Sequence, residues 1–275
     1  MSYQTPNLKF KINNMKKIQE TILSVTVIAI LLTGCSKPKD GAAGTNGVAG
    51  SPGPLLSGSL KGYVDLFDAY GDLAANASNV YITIPVIAGT DSTSTNGMFT
   101  KTLTTGTYEL DYSKSGYGAM KIISLNFVGG GTQYISNHIQ MTQAPIYSLS
   151  AITSATAMAQ GQGVVTVTVT PSATDTKARK VVCFIGTSSS VSYLPGNYSG
   201  VVTINIPANS AIGFGSISTT IAYEAGIPSG NSIYIAAYPI AVNNTASIYS
   251  DVATGKTIYN NINSSSSVTT NVMVP

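Results

Sequence analysis

Seven residues, Val164-Val-Thr-Val-Thr-Val-Thr170, end in three uninterrupted valine–threonine pairs. Successive side chains of an extended strand point to opposite faces, so this period of two separates a valine stripe from a threonine stripe. β-Branched residues are stiff at χ1 and suit a pleated surface better than a helix. Similar runs recur along the 275 residues, punctuated by Gly, Asn, Asp and Ser. A turn signal at roughly every eight to twelve residues predicts an all-β chain built as sandwiches. Charged residues make up only 9% and hydrophobic ones 43%, which suits sheets with neutral polar outer faces and is not the composition of a disordered chain.

The rhythm divides into two tandem β-sandwich domains, about residues 57–142 and 145–275. In the first, Gly58–Phe67 reads as a strand and Asp68–Asp72 as a turn. Val80–Val86 reads as a second strand, in which Pro85 demands an edge or a bulge. Asn96-Gly97 predicts a two-residue hairpin turn with positive φ at both positions, joining Thr93–Thr95 to Met98–Leu103. Thr107–Tyr112, Lys121–Phe127 and Gln133–Met141 follow, with Gly129-Gly130-Gly131 before the last. In the second, Lys180–Ile185, Gly200–Ile206, Ile217–Tyr223, Asn231–Pro239, Thr257–Tyr259 and Val268–Val274 read as strands.

Within the first domain the order Gly62-Tyr-Val, Asp68-Ala-Tyr-Gly71, Asn79-Val-Tyr-Ile82, Thr95-Asn-Gly-Met-Phe99, Gly106-Thr-Tyr108 and Lys114-Ser-Gly-Tyr117 resembles the carboxypeptidase regulatory-like family. The resemblance implies a transthyretin-like fold that serves for folding and display and carries no catalytic residue. It assigns turns to Asn96-Gly97 and Gly106, and core places to Phe99, Tyr108 and Tyr117. In the second domain Gly226-Ile-Pro-Ser-Gly230 with Ile233-Tyr-Ile-Ala-Ala-Tyr238 is similar to the late strand pair of fibronectin type III or related immunoglobulin-like domains.

Ahead of both domains, two lysines (Lys16, Lys17) precede an apolar run from Ile22 to Leu32, then Thr33-Gly34-Cys35. That is the three-part layout of a secretory signal, covering residues 1–34 or starting at Met15. The run falls short of the ~20 apolar residues needed to cross a bilayer. Leu32-Thr-Gly-Cys35 resembles the lipobox of bacterial lipoproteins, which implies cleavage by signal peptidase II between Gly34 and Cys35 and acylation of Cys35. Several acyl chains on one residue hold a protein to a membrane far better than one. Residues 35–56 then form a linker in which Gly41, Gly44, Gly47, Gly50 and Gly53 recur every third position. The period is that of collagen, and the readings it leaves are a polyproline-like spacer or a trimeric triple helix. Ser36-Lys-Pro-Lys-Asp40 and the glycine triplets are similar to segments of Bacteroidetes surface lipoproteins. The expected address is the outer membrane, lipid-anchored, facing the periplasm or the cell surface.

The formal charge of +3 belongs to the leader: four of fourteen basic residues and one of eleven acidic ones precede Cys35, leaving ten of each. A basic footprint for nucleic acid is therefore missing. With Cys35 acylated, Cys183 has no disulfide partner and is expected as a buried thiol in Lys180–Ile185.

Chemistry-bearing residues are sparse. The single histidine, His138, falls in an expected strand and cannot by itself build a histidine metal cluster, and no Gly-x-Ser-x-Gly elbow accompanies it. Asp65, Asp68 and Asp72 cluster at the first turn, as a solvated turn or a calcium site. No catalytic residue, metal or cofactor is expected, and the chain is read as a non-enzyme. There is no Trp but 16 Tyr, including Tyr223, Tyr234, Tyr238, Tyr249 and Tyr259. Tyrosine serves equally as half-buried packing and as a ligand platform. Tyr193 and Tyr198, flanking Leu194-Pro-Gly-Asn197, are the expected exposed ligand-contact residues. The leading functional expectation is a structural, adhesive or scaffolding envelope protein. The alternative is a glycan-binding surface lipoprotein associated with an outer-membrane sugar-uptake system.

Overall fold

The computed structural model describes residues 53–159, 162–243 and 245–275. The signal, Gly34, Cys35 and the glycine triplets through Gly50 lie outside the described residues. Residues from Pro54 to Pro275 form one compact unit. Its first strands are β1 (Ser57–Phe67), β2 (Tyr81–Ile84), β3 (Ile87–Ser92), β4 (Met98–Thr104), β5 (Gly106–Ser113), β6 (Met120–Phe127), β7 (Thr132–Tyr134) and β8 (Ile139–Thr142). There follow β9 (Leu149–Ala159), β10 (Gln162–Pro171), β11 (Arg179–Gly186), β12 (Gly200–Ile206) and β13 (Gly213–Ser218). A one-and-a-half-turn helix α1 (Thr219–Glu224) precedes β14 (Ser232–Ile240), β15 (Ile248–Ser250), β16 (Thr257–Tyr259) and β17 (Val268–Met273). The fold is all-β, as the alternating pattern requires.

In the first half, one sheet is centred on β1, which pairs antiparallel with β4 and parallel with both β7 and β8. It faces a second sheet in the order β3-β2-β5-β6. Every other residue of β1 from Leu60 to Leu66 is fully or largely buried, the inward set of a period-two strand. Leu60, Val64 and Leu66 meet Ile82, Leu110 and Phe127 in one core, and Phe99 of β4 sets its ring edge-on to Tyr112 of β5, 5.8 Å between centroids. Each such aliphatic side chain contributes about 1.5–3 kcal/mol by leaving water.

The structure departs from the sequence pattern at four places: the expected strand Gln133–Met141 breaks into β7 and β8, the expected strand Ile217–Tyr223 gives way to α1 after Ser218, and two more departures lie in the first half. The run Val80–Val86 is not a single strand: it doubles back at Pro85-Val86 into the β2–β3 hairpin. Proline's fixed φ favours that turn, and its missing N–H would have broken a ladder in which β2 is an inner strand. Asn96-Gly97 does not form a two-residue hairpin either. Gly97 alone has positive φ, 79°, while its N–H donates to Ser94 O at 2.9 Å and Ser94 N–H donates to Met98 O at 2.9 Å. Asn96 works through its side chain instead, accepting from the Ser94 hydroxyl at 2.6 Å. The loop carries the chain from the sheet of β3 to the sheet of β4, so a tight hairpin register is not what it must satisfy.

In the second half, the sheet β13-β10-β9 covers the sheet β12-β11-β14-β17. Val165, Val167 and Val169 point inward against Val181, Cys183, Ile185, Ile233 and Ile235, so the alternating run buries its valines and turns its threonines outward. Strands β11 and β14 are buried on both faces. Their other face, with Val182, Phe184, Ala236 and Tyr238, lies under a separate apolar layer supplied by Val191, Tyr198 and Ile262. Double-sided burial is why Lys180–Ile185 and Ile233–Tyr238 read as apolar runs.

The halves meet where β1 and β8 end. Val242 N–H donates to Ala69 O at 3.0 Å and Ser247 N–H to Gln140 O at 3.1 Å. The Tyr70 hydroxyl donates to Asp175 Oδ2 at 2.5 Å, and Lys177 Nζ reaches Asp72 Oδ2 at 2.8 Å while lying 4.8 Å from the Tyr70 ring centre.

Candidate functional site: a divided cleft at Tyr234

Tyr234 is the third residue of β14. In the ladder it stands between Gly186 of β11 and Asn271 of β17. The alternation that buries Ile233 and Ile235 in the sandwich core turns Tyr234 to the opposite face, with Ala236 and Tyr238. Further along, the aromatic layer closes over Ala236 and Tyr238, whereas Tyr234, nearest the strand's start, stays half-exposed.

Two concavities share this ring. One, about 240 Å³, is lined by Ser189, Val191, Tyr234, Thr269, Thr270 and Asn271. The other, about 230 Å³, is lined by Thr187, Gly226, Ile227, Pro228, Asn231, Ser232 and Tyr234. No charged side chain lines either lobe, and each lobe holds one asparagine. The Asn231 carboxamide donates to Pro228 O at 3.3 Å, leaving its oxygen free to accept. A carboxamide both donates and accepts, and hydroxyls do the same. The cleft thus combines a flat aromatic face with neutral two-way hydrogen-bonding groups. That chemistry suits an uncharged polyhydroxylated ligand.

Tyr198 is not the exposed ligand contact expected from its loop. It is 7% exposed, its hydroxyl donates to Thr257 O at 2.7 Å, and its ring tilts against Phe184 at 5.0 Å. Burial pushes its phenol up to about 12. The short 3₁₀ turn Pro195–Asn197 lies beside it. The physical reason is the unpaired apolar face of β11 and β14: the loop spanning 187–199 serves as its lid. Tyr193 is half-buried in the same layer, edge-on to Tyr238 at 5.5 Å. Phe184 is the hub, with Tyr238 at 5.7 Å and Tyr259 at 5.2 Å. The signal that singles out Tyr234 was present in the strand period, but which tyrosine the lid leaves uncovered depends on residues far away in the chain.

The other candidates are held elsewhere. His138 sits just before β8 rather than within a strand, 54% exposed, its ring stacked on Tyr63 at 5.1 Å and its Nδ1 3.0 Å from both Asp65 carboxylate oxygens. Asp68 accepts from the N–H groups of Tyr70 and Asp72, each at 2.9 Å, while Asp72 faces Lys177. An ammonium therefore stands where a cation shared by Asp68 and Asp72 would lie. Among the described residues no group of three or more His, Cys, Asp or Glu side chains could hold a metal ion.

No family model and no curated protein matches the chain. Among solved structures it is similar to a candidate carbohydrate-binding protein of Bacteroides uniformis, at 13% identity, covering 79% of this chain and 99% of that one, TM-score 0.28. It is also similar to DUF3823 family proteins of Bacteroides uniformis (13% identity, 81% and 100% covered, TM-score 0.28) and Bacteroides ovatus (13%, 77% and 98%, TM-score 0.24). These likenesses are too distant to assign the chain to a family.

Proposed function

We propose that this chain is a lipid-tethered envelope protein whose second half binds a neutral glycan, with Tyr234 as the stacking platform between two sugar-sized lobes. The observation that carries the reading is one half-exposed tyrosine shared by two concavities without charged lining residues, each with its own asparagine. The apolar C–H face of a pyranose packs on a tyrosine ring, and its hydroxyls, each both donor and acceptor, match Asn, Ser and Thr. The absence of charge among the lining residues favours neutral hexoses over uronic or sialic acids. The tether rests on the likeness of Leu32-Thr-Gly-Cys35 to a lipobox, and the outer membrane is the address proposed with it.

The test is an array of neutral and acidic oligosaccharides probed with the native protein and with Tyr234→Ala. Binding confined to neutral sugars and lost in the variant supports the reading. Native protein that binds no sugar, or a Tyr234→Ala protein that binds as well as the native one, removes it and returns the chain to a structural or adhesive role. Labelled palmitate incorporated by the native chain but not by Cys35→Ala tests the tether separately.

A further inference from the structure

The two ends of β1 have opposite surroundings. Its Phe67 end meets the second half, while its Ser57 end, roughly 33 Å away at ~3.3 Å per residue, points away from that half. Three large apolar side chains stand out at this free pole: Leu55 is 72% exposed, Leu56 50% and Val128 60%. They are neighbours through Thr105, whose N–H donates to Leu56 O at 2.9 Å and whose hydroxyl donates to Val128 O at 3.0 Å.

Around them the pole carries no charge. Residues 53–59, 104–107 and 128–132 consist only of Gly, Pro, Leu, Ser, Thr and Val. Its main-chain groups are largely paired internally: Leu56 N–H with Thr105 Oγ1 (3.2 Å), Gly130 N–H with Ser57 O (3.0 Å), Ser59 N–H with Gly131 O (2.7 Å) and Val128 N–H with Gln133 Oε1 (3.2 Å). A surface whose polar groups are already satisfied loses little when it leaves water, and its apolar groups gain.

We infer that this pole is a bilayer-contact surface, with Leu55, Leu56 and Val128 seated in the interface between lipid headgroups and acyl chains. The inference rests on the acylation of Cys35 in the proposed function. What names the lipid as occupant is where the chain leads. Nineteen residues lie between Cys35 and Leu55, and even fully extended they reach no more than roughly 65 Å. The anchor joins the body at this pole, so of the whole body this end is held at the highest effective concentration next to the membrane. Three apolar side chains that would not hold a free protein to a bilayer suffice to orient a tethered one.

The test uses the full-length acylated protein reconstituted in phosphatidylcholine vesicles, with Val128→Cys carrying an environment-sensitive fluorophore. Cys183 is buried and stays unlabelled. The reference position is Phe214→Cys on β13, a 68% exposed site of the second half. Lipids bearing a doxyl quencher are expected to quench the label at 128 several-fold more than the label at 214. Leu55→Ser with Leu56→Ser should abolish most of that difference while the protein still floats with the vesicles. Equal quenching at the two positions in floating protein overturns the inference. So does a label at 128 that is shielded to the same degree without vesicles, which would mean that a second copy covers the pole. Protein that fails to float refutes the acyl anchor, a separate reading, and the inference falls with it.

Discussion

Ser247 joins the two halves of the body to each other through Gly118, its hydroxyl donating to the Gly118 carbonyl at 2.9 Å and accepting from Thr142 N–H, also at 2.9 Å. Ser247 is fully buried and adopts φ 56°, a left-handed conformation that non-glycine residues seldom take. Close approach reinforces the contact, since a Cβ on Gly118 would lie 2.3 Å from Asn260 O.

Ser247→Ala leaves a buried N–H and a buried carbonyl without a partner. It should lower the unfolding free energy by about 1–3 kcal/mol in urea titration. Ser247→Gly loses the same hydroxyl but relieves the backbone, so it should destabilise less than alanine does. A glycine variant weaker than the alanine variant would refute this account of the junction.

Tyr198 and Tyr234 should separate stability from binding. Tyr198→Ala opens a void beside Phe184 and is expected to cost about 3–5 kcal/mol, in the range of large aromatic truncations. Tyr198→Phe keeps the ring and should lose only about 1 kcal/mol with the bond to Thr257 O. Tyr234→Ala removes a half-exposed ring, so its melting temperature should stay close to that of the native protein. Calorimetry on the three variants checks the order.

Gly97→Ala should be among the most disruptive single-methyl additions in the first half. The new Cβ would lie 2.1 Å from Val64 O, and φ is 79°. Left-handed strain on a non-glycine residue costs of order 1–3 kcal/mol, and the clash with main chain adds to it. Gly116→Ala, also at φ 79° but with nothing within 4 Å of the added carbon, isolates the strain and should cost less in the same denaturation assay.

The Tyr70–Asp175 bond makes the junction pH-dependent. The Tyr70 hydroxyl holds the Asp175 carboxyl below its usual range, and the carboxylate in turn raises the Tyr70 phenol. A lowered carboxyl contributes stability above its unfolded pKa, ~3.9, and loses it as pH falls through the lower folded value. A raised phenol contributes below its unfolded pKa, ~10, and loses it as pH rises through the higher folded value. The stability gap between native protein and Tyr70→Phe should therefore be constant near neutrality and shrink towards both extremes. A gap that is flat down to strongly acid pH would disprove the linkage.

Cys183 should be silent to thiol reagents. It is fully buried, and burial pushes its thiol up to about 12, so almost no thiolate exists at neutral pH. Reaction with Ellman's reagent is expected only after denaturation. Stoichiometric labelling of folded protein would mean that the second core opens far more readily than its packing implies.

Much of this architecture can be read from local pattern. The valine–threonine run declares one buried and one wet face, and the unbroken Val181–Ile185 stretch declares burial on both. What local pattern leaves open is what covers the second face of β11. Its lid comes from Val191, Tyr198, Tyr259 and Ile262, up to about eighty residues away, and no spacing rule links them. For that reason Tyr198, in a Pro-Gly-Asn loop that looks exposed, is interior, while Tyr234, in a strand that looks interior, borders both lobes of the cleft. Pro85 illustrates the same limit at shorter range: proline announces an interruption, and only the pairing of β2 between β3 and β5 turns that interruption into a hairpin.

The parallel pairing of β1 with β8 sets how the body bears mechanical load. Val64 to Phe67 run beside Ile139 to Thr142 in the same direction. A tether pulling on the start of β1 and a captured ligand pulling through the end of β8 would drag these strands past each other lengthwise. Bonds crossing such a pair share the pull at once, whereas a hairpin peeled from its end gives way one bond at a time. If the chain is tethered through Cys35 as proposed, this pair would resist such a lengthwise pull better than a hairpin would.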